Sequence, residues 1–270
     1  MSKNKIYDCI TFFDENLLAN LRFELLNEVV DYFVVCESRY DHKNREKKVN
    51  FNLLNKKFKN KVRHVLLDKP FPQKLNHWQI EEFQREKIME TITDADNNDY
   101  IIYSDSDEIP NPELLKNLNL KKKYGIFFQD FYVYNLDTFN HYETPWEGSK
   151  ICRKKNLKSI TFLRKKIKSS NLKKAFWKIW IPKDIDIFEK GGWHFNNFYT
   201  PEQISVKLKT FQHLEYAEER FSDINIIKKN ITNLNDLFER GHIYKRIEKD
   251  KKIPRKVIEA YKNLKTHYEY

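Results

Sequence analysis

Three carboxylates, Asp105, Asp107 and Glu108, close the segment Tyr100-Ile-Ile-Tyr-Ser-Asp-Ser-Asp-Glu-Ile-Pro110. Acids this close repel one another unless a cation joins them, and oxygen-only ligands suit Mg²⁺ or Mn²⁺. Tyr100 to Tyr103 read as a buried strand, too short for a helix. Asn111 is a good helix N-cap and Pro112 a good first helical residue, which predicts a helix over Glu113 to Leu118. The carboxylates then lie beyond the carboxyl end of a strand, where open α/β sheets bind ligands, here a phosphorylated one held through a divalent metal. Asp and Ser after a strand are also ordinary turn residues, so the surroundings must decide.

Other residues carry chemistry of the same kind. Arg85 falls on the sheet-facing stripe of a long helix, in line with Trp78 and Ile92 and close to Ile88. A buried guanidinium needs a partner, which is a structural carboxylate, the acidic loop or a donor phosphate. Glu37 closes an earlier strand on the same sheet edge, and Arg39, His42, Lys43, Arg45 and Lys47 follow it in a loop that suits a diphosphate. His194 follows Gly191-Gly192, where backbone can approach a ligand closely. It is either a nitrogen ligand or phosphate contact, or a hydrogen-bonded core histidine beside aromatics. Lys150 to Lys178 is rich in Lys and Arg and contains no acid, with Ile160, Phe162, Leu163, Phe176 and Trp177 interleaved. It suits an acidic acceptor, a nucleotide or an anionic membrane surface, or is simply a solvated face.

The positioning elements can be read in order. Ile6 to Phe13 is a strand, and Asp14 caps a helix with Leu18, Leu21, Leu25 and Val29 on one stripe. Asp31 to Glu37 is a second strand, Ser38 to Lys48 a charged loop, Phe51 to Phe58 a helix and Val62 to Leu67 a third strand. A helix from Asn76 to Ala95 leads to the acidic strand. Alternating strands and helices predict a mostly parallel α/β sheet covered on both faces. Tyr124 to Asn135, Ser159 to Leu163 and Asp184 to Phe188 read as further strands of a mixed sheet. From Pro201 the pattern is helical, with Ile253, Val257, Tyr261 and Leu264 on one face of the last helix. No linker is visible, so 1–270 reads as one domain: a donor-binding half (1–120), an acceptor-side half (121–200) and a helical C-terminal part (201–270).

Composition narrows the function classes. The net charge of +11 invites nucleic acid as a partner, yet Lys greatly outnumbers Arg, the residue suited to planar phosphate and base recognition. No nucleic-acid motif is present, and no nucleic-acid partner is expected. Cys9, Cys36 and Cys152 are odd in number and widely spaced, which suits neither a zinc site nor a disulfide framework. With no signal-peptide core and no apolar run long enough to span a bilayer, the sequence suggests a reducing cytoplasm, at most peripheral to a membrane.

Six segments in order carry a family resemblance: Tyr7-Asp-Cys-Ile-Thr-Phe-Phe-Asp-Glu15, Val30-Asp-Tyr-Phe-Val-Val-Cys-Glu37, Gln84-Arg85, Ser104-Asp-Ser-Asp-Glu-Ile-Pro110, Gly191-Gly-Trp-His194 and Thr200-Pro-Glu-Gln-Ile-Ser-Val-Lys-Leu-Lys-Thr-Phe-Gln-His213. Together they resemble glycosyltransferase family 17, the family of the bisecting N-acetylglucosaminyltransferases. The resemblance implies a GT-A-type, Rossmann-related fold, inverting transfer of a sugar such as N-acetylglucosamine to a glycan, a nucleotide-sugar donor (a UDP-sugar before others) and Mn²⁺ or Mg²⁺. Asp105 and Asp107 match the family's Asp-x-Asp positions, and Glu108 orients them or meets the sugar. The chain departs from the animal enzyme in lacking an N-terminal anchor and a lumenal disulfide pattern, which points to a cytoplasmic microbial or viral glycan pathway. Inversion also needs a base. Its candidates are Glu215, close after His213, together with Asp130, Glu143 and Glu147. Two rival readings are a nucleotidyltransferase or phosphohydrolase using the same loop, and a basic protein that binds nucleic acid or anionic glycan.

Overall fold

In a computed structural model, residues 4–210 and 216–268 are described. The strands are β1 (Ile6–Phe12), β2 (Tyr32–Ser38), β3 (Val62–Leu67), β4 (Tyr100–Ser104), β5 (Glu108–Pro110), β6 (Tyr124–Val133), β7 (Thr138–Phe139), β8 (Trp146–Arg153), β9 (Ile185–Phe188), β10 (Gly192–Asn196) and β11 (Lys245–Arg246). The α-helices are α1 (Asn16–Leu26), α2 (His77–Glu86), α3 (Pro112–Lys116), α4 (Ile160–Lys166), α5 (Pro201–Thr210), α6 (Glu219–Ser222), α7 (Ile224–Asn233), α8 (Lys249–Lys252) and α9 (Arg255–Lys265).

Apolar runs build the parallel part. β3, β2, β1 and β4 lie side by side and parallel, with Tyr7 opposite Tyr32 and Ile101. β8 then runs antiparallel between β4 and β6, so the sheet is mixed, and β10 joins β6 in parallel and β5 in antiparallel register. One face is covered by α1 and α9, and Val257, Tyr261 and Leu264 of α9, with Ile253 just before it, are buried there as the periodicity predicts. The other face carries the apolar sides of α2 and α4. A third cluster joins Phe131, Val133 and Tyr134 to Ile204, Leu208, Phe221 and Ile227 of the helical C-terminal part.

Several local expectations are corrected, each for a stereochemical reason. Helix α1 starts after Glu15 rather than Asp14, because the Glu15 carboxylate already accepts the amides of Phe13 (2.8 Å) and Asp14 (3.1 Å). The segment after Asn50 is not helical: the amides of Asn50 and Phe51 go to Glu37, that of Asn52 to Asn16 and that of Leu54 to Asn20. With its donors taken by side chains it stays extended until a short 3₁₀ turn at Lys56–Phe58. The helix expected to reach Ala95 ends as α2 at Glu86, with an Asn76/Gln79 capping box at its start, and continues only as 3₁₀ turns at Lys87–Thr91. Ser159 to Leu163 is not a strand. Ser159 caps the amide of Phe162 (3.0 Å) and starts α4. Helix α3 is shorter than expected, although Asn111 and Pro112 start it as predicted.

Candidate active site

The acidic loop lies at the carboxyl end of β4, beside that of β1. Asp105 accepts the Glu108 amide through its carbonyl (3.0 Å), and the turn places Glu108 at the start of β5. β5 pairs with β10, so His194 sits across from Glu108, and the Phe195 amide donates to the Asp107 carbonyl (2.8 Å). The glycines make this pairing possible. Gly192 has φ +131°, and a Cβ there would lie 2.1 Å from the Ile109 carbonyl oxygen.

A cleft of about 330 Å³ opens over the loop. Its walls include Thr11, Phe13 and Glu15 from the β1 end, Asp105, Ser106 and Asp107 of the loop, and Glu143 and Trp146. His194 and Lys207 complete the wall near the acids, and Arg240 reaches in from the C-terminal part.

Each acid has its own environment. Asp107 is held down to about pKa 2: burial opposes its ionisation, but His194 and then Lys207 overcome it. His194 Nε2 stands 3.4 Å from the Asp107 carboxylate, and its ring lies against Phe131 (4.1 Å between centroids) and Trp146 (4.8 Å). Glu108 is fully buried. It accepts from Trp146 Nε1 (2.8 Å) and pairs with Arg164 (3.1 Å), and burial raises its pKa against the pull of that guanidinium. Arg164 also pairs with Asp105, which stands at the cleft wall. Arg22, buried in α1, grips the Asp8 carboxylate (2.6 Å) and donates to the Glu108 carbonyl (2.8 Å).

The remaining candidates are dispersed. Arg85 is buried against the Tyr103 hydroxyl (3.0 Å) and Glu81, behind the cleft wall that Glu81 helps to form. That is the structural-pair alternative, with the pair one layer from the ligand space. Glu37 is consumed by Lys47 Nζ (2.9 Å), His64 (3.2 Å) and two backbone amides, so it ties the charged loop to the sheet. Lys43 reaches the Lys209 carbonyl on α5 (3.2 Å), and Arg39 bonds through its backbone to Leu67 and Lys47. Neither Lys43 nor Arg39 lines the cleft. Of the base candidates, Glu143 lines the cleft, bonded to Asn140 (2.8 Å) and Arg240 (3.2 Å). Glu147 is bound to Ser169 and Lys150, and Asp130 is not among the residues that line the cleft. Glu215 and His213 lie outside the described residues. Lys150 is buried in β8, so the basic stretch begins inside the molecule.

The sequence reading missed Arg164, Arg22, Lys207 and Arg240. Two carried a signal. Arg164 sits with Ile160, Leu163 and Ile167, and Arg22 with Leu18, Leu21 and Leu25, at helical spacing. An arginine on an apolar stripe marks a buried partner, the argument already made for Arg85.

No group of three or more His, Cys, Asp or Glu among the described residues forms a ready-made metal cage. Cations that work on phosphates ask for less: one or two carboxylates, with phosphate and water completing the shell. Asp105 and Asp107, both on the cleft wall and both carboxylates, fit that demand.

Comparison with known proteins supplies the context. Among solved structures, the chain is similar to a glycosyltransferase involved in glycosylation of the major capsid of PBCV-1, with 14% identity, 68% of this chain and 81% of that chain covered and TM-score 0.33. The inositol-1-phosphate CTP transferase from T. maritima matches at 10% identity, over 73% and 91% of the chains, with TM-score 0.38. Glucosyl-3-phosphoglycerate synthase from Mycobacterium tuberculosis, solved with Mn²⁺, UDP and phosphoglyceric acid, matches at 11% identity, 72% of each chain and TM-score 0.35. No curated protein matches significantly. The sequence model of one family matches residues 1–256, nearly the whole chain. The fold is a mixed α/β sheet flanked by helices, and by the match over residues 1–256 the chain belongs to glycosyltransferase family 17, a family of sugar-transferring enzymes.

Proposed function

We propose that the protein transfers a sugar, with inversion, from a nucleoside-diphosphate donor (a UDP-sugar before others, N-acetylglucosamine a candidate sugar) to a glycan hydroxyl. The observation that carries this reading is one cleft lined by Asp105, Asp107 and a third carboxylate, Glu143. Asp105 and Asp107 would hold Mn²⁺ or Mg²⁺, which supplies positive charge to the leaving diphosphate when bound. The residues themselves do the rest. His194 keeps Asp107 ionised, and Arg164 and Arg22 hold the acidic loop to the sheet. Lys207 is placed to meet donor phosphate. Glu143, oriented by Asn140 and Arg240, takes the proton of the acceptor hydroxyl as its oxygen attacks the anomeric carbon. The bond to the diphosphate breaks on the opposite face, which inverts the centre. Glu108, buried with Arg164, positions the loop and does not meet the sugar.

The test is a thermal-shift screen of UDP, GDP, CDP and their sugars with Mn²⁺ or EDTA, followed by turnover assays with glycan acceptors. A metal-dependent rise with one nucleotide family, lost in Asp105→Asn and Asp107→Asn, is expected. Normal turnover by those two variants refutes the reading. Donor cleavage that never requires a sugar acceptor favours a phosphohydrolase instead.

A further inference from the structure

Between α4 and β9 the chain carries a tip of bare apolar side chains. Phe176, Trp177, Ile179 and Trp180 are 83%, 64%, 87% and 73% exposed, and Leu172 nearby is also exposed. Large apolar side chains this bare and this close in sequence mark a contact surface rather than ordinary scatter. The tip is nonetheless built. Lys178 and Ile181 close successive turns onto the Ala175 and Lys178 carbonyls (3.1 Å each), and Lys183 caps the Ala175 carbonyl.

Its charge selects the occupant. No acid occurs from Lys150 to Lys183. Arg164 and Lys165 are taken by acids, whereas Lys166, Lys168, Lys173 and Lys174 are exposed and make no ion pair among the described residues. Tryptophan and phenylalanine flanked by lysines suit the bilayer interface, where rings settle at headgroup level and ammonium groups meet anionic headgroups. A second copy of the chain would set these lysines against themselves.

We propose that the 172–180 tip is a membrane-docking loop that inserts its aromatic side chains into an anionic lipid surface. The tip leaves the chain after α4, whose Arg164 holds Asp105, and returns into β9 at Ile185.

The full chain is tested by cosedimentation and tryptophan emission with phosphatidylcholine vesicles, with and without phosphatidylglycerol. Wild type is expected to bind the anionic vesicles with a blue-shifted emission, and less well at high salt. Phe176→Ser/Trp177→Ser/Ile179→Ser/Trp180→Ser should lose at least about tenfold in partitioning, with an unchanged melting temperature. Lys173→Glu/Lys174→Glu/Lys178→Glu should lose the preference for the anionic lipid. The proposal is overturned if wild type ignores anionic vesicles, if the aromatic variant binds as well, or if the tip drives self-association without lipid. None of these readouts depends on the donor or acceptor.

Discussion

Replacing Arg22 with Met should destabilise the protein more than any surface change, and the loss should be partly reversible by a second substitution. Arg22 and Asp8 are 0% and 1% exposed and bonded at 2.6 and 3.2 Å. Removing one member leaves the other as an uncompensated buried charge, which costs about 3–5 kcal/mol. At about 2–4 °C per kcal/mol for a chain of this size, the melting temperature of Arg22→Met falls by about 6–20 °C. Asp8→Leu/Arg22→Met removes both charges and should recover the part due to the unpaired charge. It should not recover all, because the Glu108 carbonyl has also lost the Arg22 donor at 2.8 Å, a deficit of about 1–3 kcal/mol. The residual looseness falls on the acidic loop, so the double variant should fold well and still turn over poorly. The assay is urea unfolding of wild type, both single variants and the double, with turnover measured alongside. Strict additivity, or an Arg22→Met protein within about 1 kcal/mol of wild type, would show that the pair is not the coupled buried unit described.

Other expectations follow from individual side chains. His42 is buried, and burial lowers its pKa from 6.5 to about 4. The unfolded chain therefore binds a proton below pH 6.5 that the folded chain refuses until about pH 4, and stability falls by about 3 kcal/mol as the pH drops through that window. Denaturant titrations from pH 7 to 4 should show a shallower decline for His42→Gln, and an identical decline argues against the assignment. Glu143→Gln should lower kcat by about 10²-fold or more while leaving the metal-dependent nucleotide shift intact, so loss of both together would point to a structural role. Gly192→Ala should cost more than about 2 kcal/mol, because its φ of +131° and the Ile109 carbonyl both exclude a side chain. Gly241→Ala, at φ +76° with open space around it, should cost only about 1 kcal/mol, and equal losses at the two positions would contradict the steric account.

Much of the frame was legible in the chain. The apolar runs at Ile6, Tyr32 and Tyr100 became parallel strands buried on both faces, and Val62 to Leu67 became their half-exposed edge partner. The acidic loop, the Asn111-Pro112 helix start and the Gly191-Gly192 turn into β10 were equally visible, since caps and tight turns depend on residues next to each other. Strand β8 was not, because Trp146 to Arg153 has no apolar run and is buried only by the strands on either side. The extended path after Asn50 was hidden for the same reason: its amides are taken by Glu37, Asn16 and Asn20, all distant in sequence.

Residue types at short spacing settled which acids form the loop and which edge of the sheet they occupy. Only the tertiary structure decided their partners. Asp105 and Glu108 meet Arg164 from 56 or more positions away, and Glu143 faces the same cleft from beyond β6. Local rules act through backbone geometry over a few residues, whereas buried ion pairs form wherever packing brings a charge to its counter-charge. The acidic loop was written in the sequence, and the rest of the cleft lining was assembled by the fold.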